Sequence, residues 1–269
     1  MSTTNLIEIL DRFDAQPEAA RLRERSYELL GPTTAAVDVG CGTGLAVAEL
    51  RRRGVPTIGV DVDAEVVAVA AARYPDAEFR VADAAALPFA DGELTGYRAE
   101  KVYHAVADPA AALAEARRVL APGGRIVLLG QDWEAILVDA ADMALTRAVV
   151  QARLSTVRHP HSARRYRNLL LDGGFHDVSV EVHTSVLTGD LVLPVLVGLA
   201  ESARATAAVT PEQADAWIAE QRHRAENDRL FFALPVVVAA AVRQSEAERG
   251  GGHLRPIKPE VPSTHHTIR

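Results

Sequence analysis

The chain has 269 residues, 48% hydrophobic and 24% charged, with 29 basic against 36 acidic side chains for a net charge of −7. That composition buries a full-sized core, and its acidic balance argues against a protein built to coat nucleic acid or an anionic membrane. A single cysteine, Cys41, closes no intrachain disulfide, and the longest apolar run, 231–242, is too short to span a bilayer and carries Pro235. Glu8, Asp11 and Asp14 stand where a signal peptide carries positive charge, so a cytoplasmic protein is expected.

The first 30 residues read as amphipathic helix. Leu6, Ile9, Leu10 and Phe13 repeat at helical spacing, Pro17 opens a second helix, and Gly31-Pro32 stop it. From residue 35 short apolar runs alternate with helices. Strands are expected over 35–39, 57–60, 78–81, 94–99 and 125–129. Helices are expected over 43–53, 63–73 and 108–120, with Asp63 and Asp108 as caps and Pro122-Gly123-Gly124 as the last stop. Such alternation predicts a parallel sheet with helices on both faces. Beyond it, helices are expected over 142–154 and 162–171, and a strand over 178–182 pairs with one over 235–242. Between those two strands lie an apolar helical stretch over 191–207 and a helix opened by the capping box Thr210-Pro211-Glu212-Gln213. The apolar stretch reads either as lid interior or as a dimer surface. From 243 the chain has no periodicity and is expected to be disordered.

In an open parallel sheet a ligand sits outside the carboxyl ends of the strands, where strand order reverses. The first such end carries Val37-Asp38-Val39-Gly40-Cys41-Gly42-Thr43-Gly44, whose glycines admit tight turns and close approach. Asp61, 21 residues after Gly40, ends the second strand and suits two ribose hydroxyls. Together they point to a nucleoside-containing cofactor. The dinucleotide fingerprint G-x-G-x-x-G/A fails at Leu45, and Asp38 beside the loop favours a cationic ligand group over a pyrophosphate.

On these residues the chain resembles the class I S-adenosylmethionine-dependent methyltransferases, most closely the small-molecule type of ubiquinone and menaquinone biosynthesis. Residues 37–44 look like its first motif and 59–63 like its ribose-binding strand end. Ala82-Asp83-Ala84 followed by Leu87-Pro88-Phe89 and Asp91 resembles the adenine-side segment, and 119–125 the turn into the fifth strand. The resemblance implies a Rossmann-like, doubly wound, mostly parallel sheet with an antiparallel last strand and helical lid elements. It implies S-adenosylmethionine as cofactor and S-adenosylhomocysteine as product. Gly40, Cys41 and Gly42 would pass the methionine moiety, with Asp38 near its amino group. Asp61 would hold the ribose, with Val62 beside it. Asp83 and Ala84 would meet the adenine, and Ala99 and Glu100 would face the methionine end. The expected division is an N-terminal helical lid segment over 1–34, a cofactor-binding core over 35–186, a helical insertion over the site at 187–228, a last core strand over 229–242 and the tail.

Methyl transfer is an in-line displacement, helped by a base when the acceptor is a hydroxyl. His104 and Asp132 are the catalytic candidates, each with a structural alternative: His104 before a helix, Asp132 as a helix cap. Tyr103, Trp133, His159 and Tyr166 are acceptor-side candidates, Trp133 with packing and His159 with a solvated turn as alternatives. Cys41 reads as a packing residue, not a nucleophile, and Glu100 has a surface ion pair with Arg98 or Lys101 as its alternative. No metal site is expected, since His265 and His266 lack further ligands at suitable spacing. The expected partner is a small, partly apolar acceptor under a lid, not nucleic acid and not a membrane. The alternatives are a cofactor-binding protein that does not methylate, cyclase-like or regulatory, and a nicotinamide-dependent oxidoreductase.

Overall fold

The computed structural model describes residues 7, 11–189 and 191–244. Leu6, Ile9 and Leu10, and the expected tail from 245 on, lie outside the described residues. In chain order the elements are α1 (Pro17–Leu30), β1 (Ala36–Val39), α2 (Leu45–Arg52), β2 (Thr57–Asp61), α3 (Ala64–Arg73), β3 (Glu78–Val81), β4 (Leu94–Glu100), α4 (Pro109–Val119) and β5 (Leu120–Gln131). They continue with β6 (Leu137–Val138), α5 (Met143–Leu154), α6 (Tyr166–Asp172), β7 (Phe175–Leu187), α7 (Val192–Ala205), α8 (Pro211–Glu226) and β8 (Phe232–Arg243).

The sheet runs β3-β2-β1-β4-β5 in parallel, and β8 then enters antiparallel to β5 with β7 and the short β6 also pairing to it. Chain order therefore reverses between β1 and β4, which places the switch point at the glycine loop. The Pro122-Gly123-Gly124 turn does not precede β5 but bulges out of it: Leu120 pairs Leu94, while Arg125 already pairs Gly96. Caps set the helix starts. Asp63 accepts from the amides of Glu65 and Val66, Asp108 from those of Ala110 and Ala111, and Thr210 and Gln213 close the capping box. Each cap contributes about 1 kcal/mol.

Three buried clusters hold the layers together. The central one lies between the sheet and α4 with α6, through Val37, Tyr97, Leu113, Leu128, Tyr166 and Leu170. On the opposite face Leu22, Tyr27 and Leu30 of α1 pack with Leu50 of α2 on Val127, Leu129 and Val238. Hence α1 is a covering layer on the face of the sheet; within 1–34, the helical residues 11–14 reach the end of β4, where Asp14 lies 3.9 Å from Lys101. The third cluster joins α5, α7 and α8 around Val149, Leu196, Ala200 and Trp217. So α5, expected with the α/β core, packs with the insertion helices, and the apolar side of α7 is consumed there. The Trp217 indole N–H, buried in that cluster, donates to Thr146 at 3.0 Å.

Candidate active site

The loop after β1 is bound to β2 by the amides of Gly40 and Cys41, which both donate to the Val60 carbonyl at 2.7 and 3.0 Å. Gly40 has φ +67°, and a Cβ there would stand 2.3 Å from a Val102 methyl. Gly40→Ala therefore combines a left-handed backbone with a clash, and an expected loss of about 1–3 kcal/mol is read by chemical denaturation. Gly42 has φ +53° but meets nothing within 4 Å, so the loop keeps open space on the side a Cβ would fill. Cys41 is buried, and burial, then Asp38 and Asp61, push its thiol far up, which leaves a packing residue and no nucleophile.

Asp61 stands opposite this loop. One carboxylate oxygen accepts from the Gly42 amide at 3.0 Å and the other from the Asp63 amide at 3.1 Å. Each oxygen keeps a second lone pair for an incoming hydroxyl. Asp83 forms an Asx turn onto the Ala85 amide at 2.8 Å, with Ala84 buried beside it. Val62 and Val81 leave apolar side chains 70% and 54% exposed at the ends of β2 and β3. Together these give polar acceptors, an open glycine and apolar surface along one strand edge, a set that fits a nucleoside bearing vicinal hydroxyls. Two grooves elsewhere lie behind α2 and α3, around Arg51 and Tyr74, and between α1 and β7.

Asp38 does not face the loop. Its carboxylate is buried on the α1 side of the sheet, 2.8 Å from the Arg98 guanidinium, in register with it across β1 and β4. Arg98, 2% exposed, also donates to Ser26 at 2.8 Å and to Glu100, and lies over the Tyr27 ring. Lys101, at φ +60°, bridges Glu100 at 3.0 Å and Asp14 at 3.9 Å. The expected surface ion pair is thus a buried network linking β1, β4, α1 and residue 14. Burial pushes the Glu100 carboxyl up, but Lys101 and Arg98 together outweigh it and hold the group at about 2. Burial raises Asp38 against the pull of Arg98, and raises Asp14 against that of Lys101. With Asp38 and the Glu100 side chain committed to cations, neither is free for a ligand ammonium. Among these positions Ala99 and the loop backbone remain at the strand ends.

On the acceptor side the expected residues separate. Tyr103 and Tyr166 are fully buried, with ring centroids 6.0 Å apart in the central cluster, and Tyr166 fills the space left by Gly130. They are packing residues, not acceptor contacts. Asp132 is buried, with both oxygens held by Arg164 at 2.6 Å and one also capping the turn at the Glu134 amide. Both oxygens are thus occupied by a guanidinium fork, and one of them makes the contact that the capping alternative expects. His159 donates its amide to the His104 carbonyl at 3.0 Å and sets its ring near the Ala107 carbonyl, clipping two loops together.

His104 and Trp133 meet edge to face at 5.8 Å, and the Arg153 guanidinium lies 4.8 Å over the Trp133 ring. Burial, then Arg153 and Lys101, hold the imidazole at about 4, so it is neutral at physiological pH. His104 Nδ1 and Trp133 Nε1 are buried without hydrogen-bond partners. Arg153 escaped the sequence reading because its helix looked structural; a basic residue in a last helical turn carries no signal of its own. Among the described residues no group of three or more histidine, cysteine, aspartate or glutamate side chains is placed to hold a metal, and no helix is long and apolar enough to cross a membrane.

Known proteins share this fold and parts of this sequence. A family described as "Methyltransferase domain" matches residues 37–128. A 37.1 kDa uncharacterised protein of transposon TN4556 from Streptomyces fradiae is 38% identical over 162 residues, 58% of this chain and 47% of that protein. A demethylmenaquinone methyltransferase of Beutenbergia cavernae is 35% identical over 108 residues, 39% of this chain and 45% of its own. The chain thus spans about half the length of these curated relatives. The solved YcgJ protein of Bacillus subtilis superposes with a TM-score of 0.58 at 15% identity, covering 83% of this chain and 98% of that one. The phosphoethanolamine N-methyltransferase 2 of Haemonchus contortus, in complex with phosphomonomethylethanolamine and S-adenosylhomocysteine, gives 0.60 at 16% identity, covering 91% and 59%. The segment 37–128, which carries the glycine loop at the switch point of the sheet, is thus similar to a methyltransferase domain.

Proposed function

We propose that this protein transfers a methyl group from S-adenosylmethionine to O, N or C of a small, partly apolar molecule and releases S-adenosylhomocysteine. The observation that carries this reading is that the matched segment contains a strand edge where open space at Gly42, the free lone pairs of Asp61 and the apolar surface of Val62 adjoin. Asp61 accepts from the ribose hydroxyls while keeping the glycine loop in place. Asp83 and Ala84 meet the adenine, with Val62 against its ring, and the Gly40–Gly42 backbone passes the methionine moiety. The bound cofactor supplies an electrophilic methyl on a sulfonium. What the chain contributes is alignment, exclusion of water and a place for the proton the acceptor loses. Neutral His104 accepts a hydrogen bond from an acceptor O–H or N–H. Residues 11–14, tied by Asp11 to Arg73 and Thr43 and by Asp14 to Lys101, form the cover on the cofactor side, and the α5, α7 and α8 layer encloses the acceptor side. The net charge of −7 favours a small acceptor over nucleic acid.

Methyl-labelled S-adenosylmethionine, incubated with the protein and panels of small phenols, amines and quinols, tests this reading. S-Adenosylhomocysteine is expected to accumulate only when an acceptor of one class is present. Cofactor binding with no methyl transfer to any class would leave a binding protein and contradict the proposal.

A further inference from the structure

We infer that the acceptor carries an anionic group, a carboxylate or phosphate, seated against Arg153 beside Trp133 and His104. This rests on the methyltransferase reading, which places the acceptor at the carboxyl ends of β4 and β5; His104 follows β4 and Trp133 follows β5. Arg153 comes to the same place from the last turn of α5.

Three observations meet there. First, the Arg153 guanidinium is half-buried and pairs with no carboxylate among the described residues; its hydrogen bond goes to the Thr156 hydroxyl at 3.1 Å. Two other arginines differ: Arg164 is forked onto Asp132 and Glu134, and Arg98 onto Asp38 and Glu100. A partly desolvated cation with no counter-ion gains most from an anion brought to it, and burial alone draws its charge affinity down. Second, the guanidinium is already oriented by the face of Trp133, which offers planar apolar surface beside the charge. Third, His104 Nδ1 and Trp133 Nε1 are buried polar atoms with nothing to bond, which native structures satisfy with protein, water or ligand. A planar or apolar molecule with a carboxylate or phosphate at one end meets all three demands, and an uncharged one leaves the cation unanswered.

The test is a tryptophan-fluorescence titration with benzoate, phenyl phosphate and neutral benzyl alcohol, with and without S-adenosylhomocysteine, on wild type, Arg153→Gln and Arg153→Lys. One or both anions are expected to bind more tightly than benzyl alcohol, benzoate alone identifying a carboxylate site and phenyl phosphate alone a phosphate site. Arg153→Gln weakens anion binding roughly tenfold or more and leaves benzyl alcohol unchanged, while Arg153→Lys loses less. Melting curves check that the variants fold. Failure of both anions to bind, equal binding of the neutral probe, or unchanged anion binding in Arg153→Gln would overturn the inference and leave Arg153 as a helix-end charge. Calorimetry with S-adenosylhomocysteine on the same samples reports on the cofactor reading separately: nucleoside binding without anion binding defeats only the Arg153 assignment.

Discussion

Arg98→Ala is expected to destabilise the fold by about 3–5 kcal/mol, because it strands the buried Asp38 carboxylate and weakens the hold on Glu100. Asp38 loses its partner at 2.8 Å and Glu100 one of its two cations, while Ser26 loses a donor in a place water does not reach. For a chain of this size that amounts to a fall in melting temperature on the order of 10 °C. Arg98→Lys keeps the charge but not the fork that spans Asp38, Ser26 and Glu100, so an intermediate loss is expected. A melting temperature unchanged in Arg98→Ala would mean that the network contributes nothing net. The same network sets an acid limb. Glu100 is held at about 2 in the folded protein against an ordinary value of 4.5. Its stabilisation is therefore complete above about pH 4.5 and is lost as pH falls towards 2. Asp38, raised by burial, acts with the opposite sign, so the net slope is shallower than Glu100 alone would give. Arg98→Ala should flatten this limb further, which denaturant midpoints between pH 2 and 6 measure.

Asp61→Ala carries the second large effect, on the cofactor. The carboxylate does two things: it receives the Gly42 and Asp63 amides, and in the proposed complex it receives both ribose hydroxyls. Removing it leaves the hydroxyls unpaired and frees the loop whose open side the ligand needs. A weakening of S-adenosylhomocysteine by about 1–3 kcal/mol is expected, five- to 150-fold in dissociation constant, with a smaller change in melting temperature of the free protein. Affinity unchanged by the substitution would remove Asp61 from the ribose position.

The fold was legible because its signals are local. Asp63, Asp108 and Thr210 cap where their spacing to the following helix says they should, and Gly31 and the glycines at 40, 42 and 44 break the chain where the structure turns. The bulge in β5 was not legible, since Pro122-Gly123-Gly124 reads the same whether it ends a helix or swells a strand. At the proposed site, the loop pattern alone says where Gly40 and Gly42 turn the chain and that Asp61 ends β2. Residues whose role depends on what lies across the sheet could not. Asp38 and Arg98 are 60 positions apart, and only the β1–β4 register makes them partners. Two polar positions on one face of β4, Arg98 and Glu100, beside an acidic β1, were the available sign of a buried network. The ion pair of Asp132 was hidden for a related reason: its partner Arg164 lies 32 positions on, in the turn at 163–165. Tyr103 and Tyr166 look like pocket aromatics by position and are core by packing, a difference set by the central cluster and invisible to spacing.

In the proposed function the glycine-loop edge is a site for a sulfur nucleoside. Isothermal titration of the wild-type chain with S-adenosylhomocysteine, and in parallel with NAD, measures this directly. Saturable one-to-one binding of S-adenosylhomocysteine, weakened in Asp61→Ala, with no heat from NAD, is the predicted result; no binding of S-adenosylhomocysteine, or binding of NAD in its place, would contradict it.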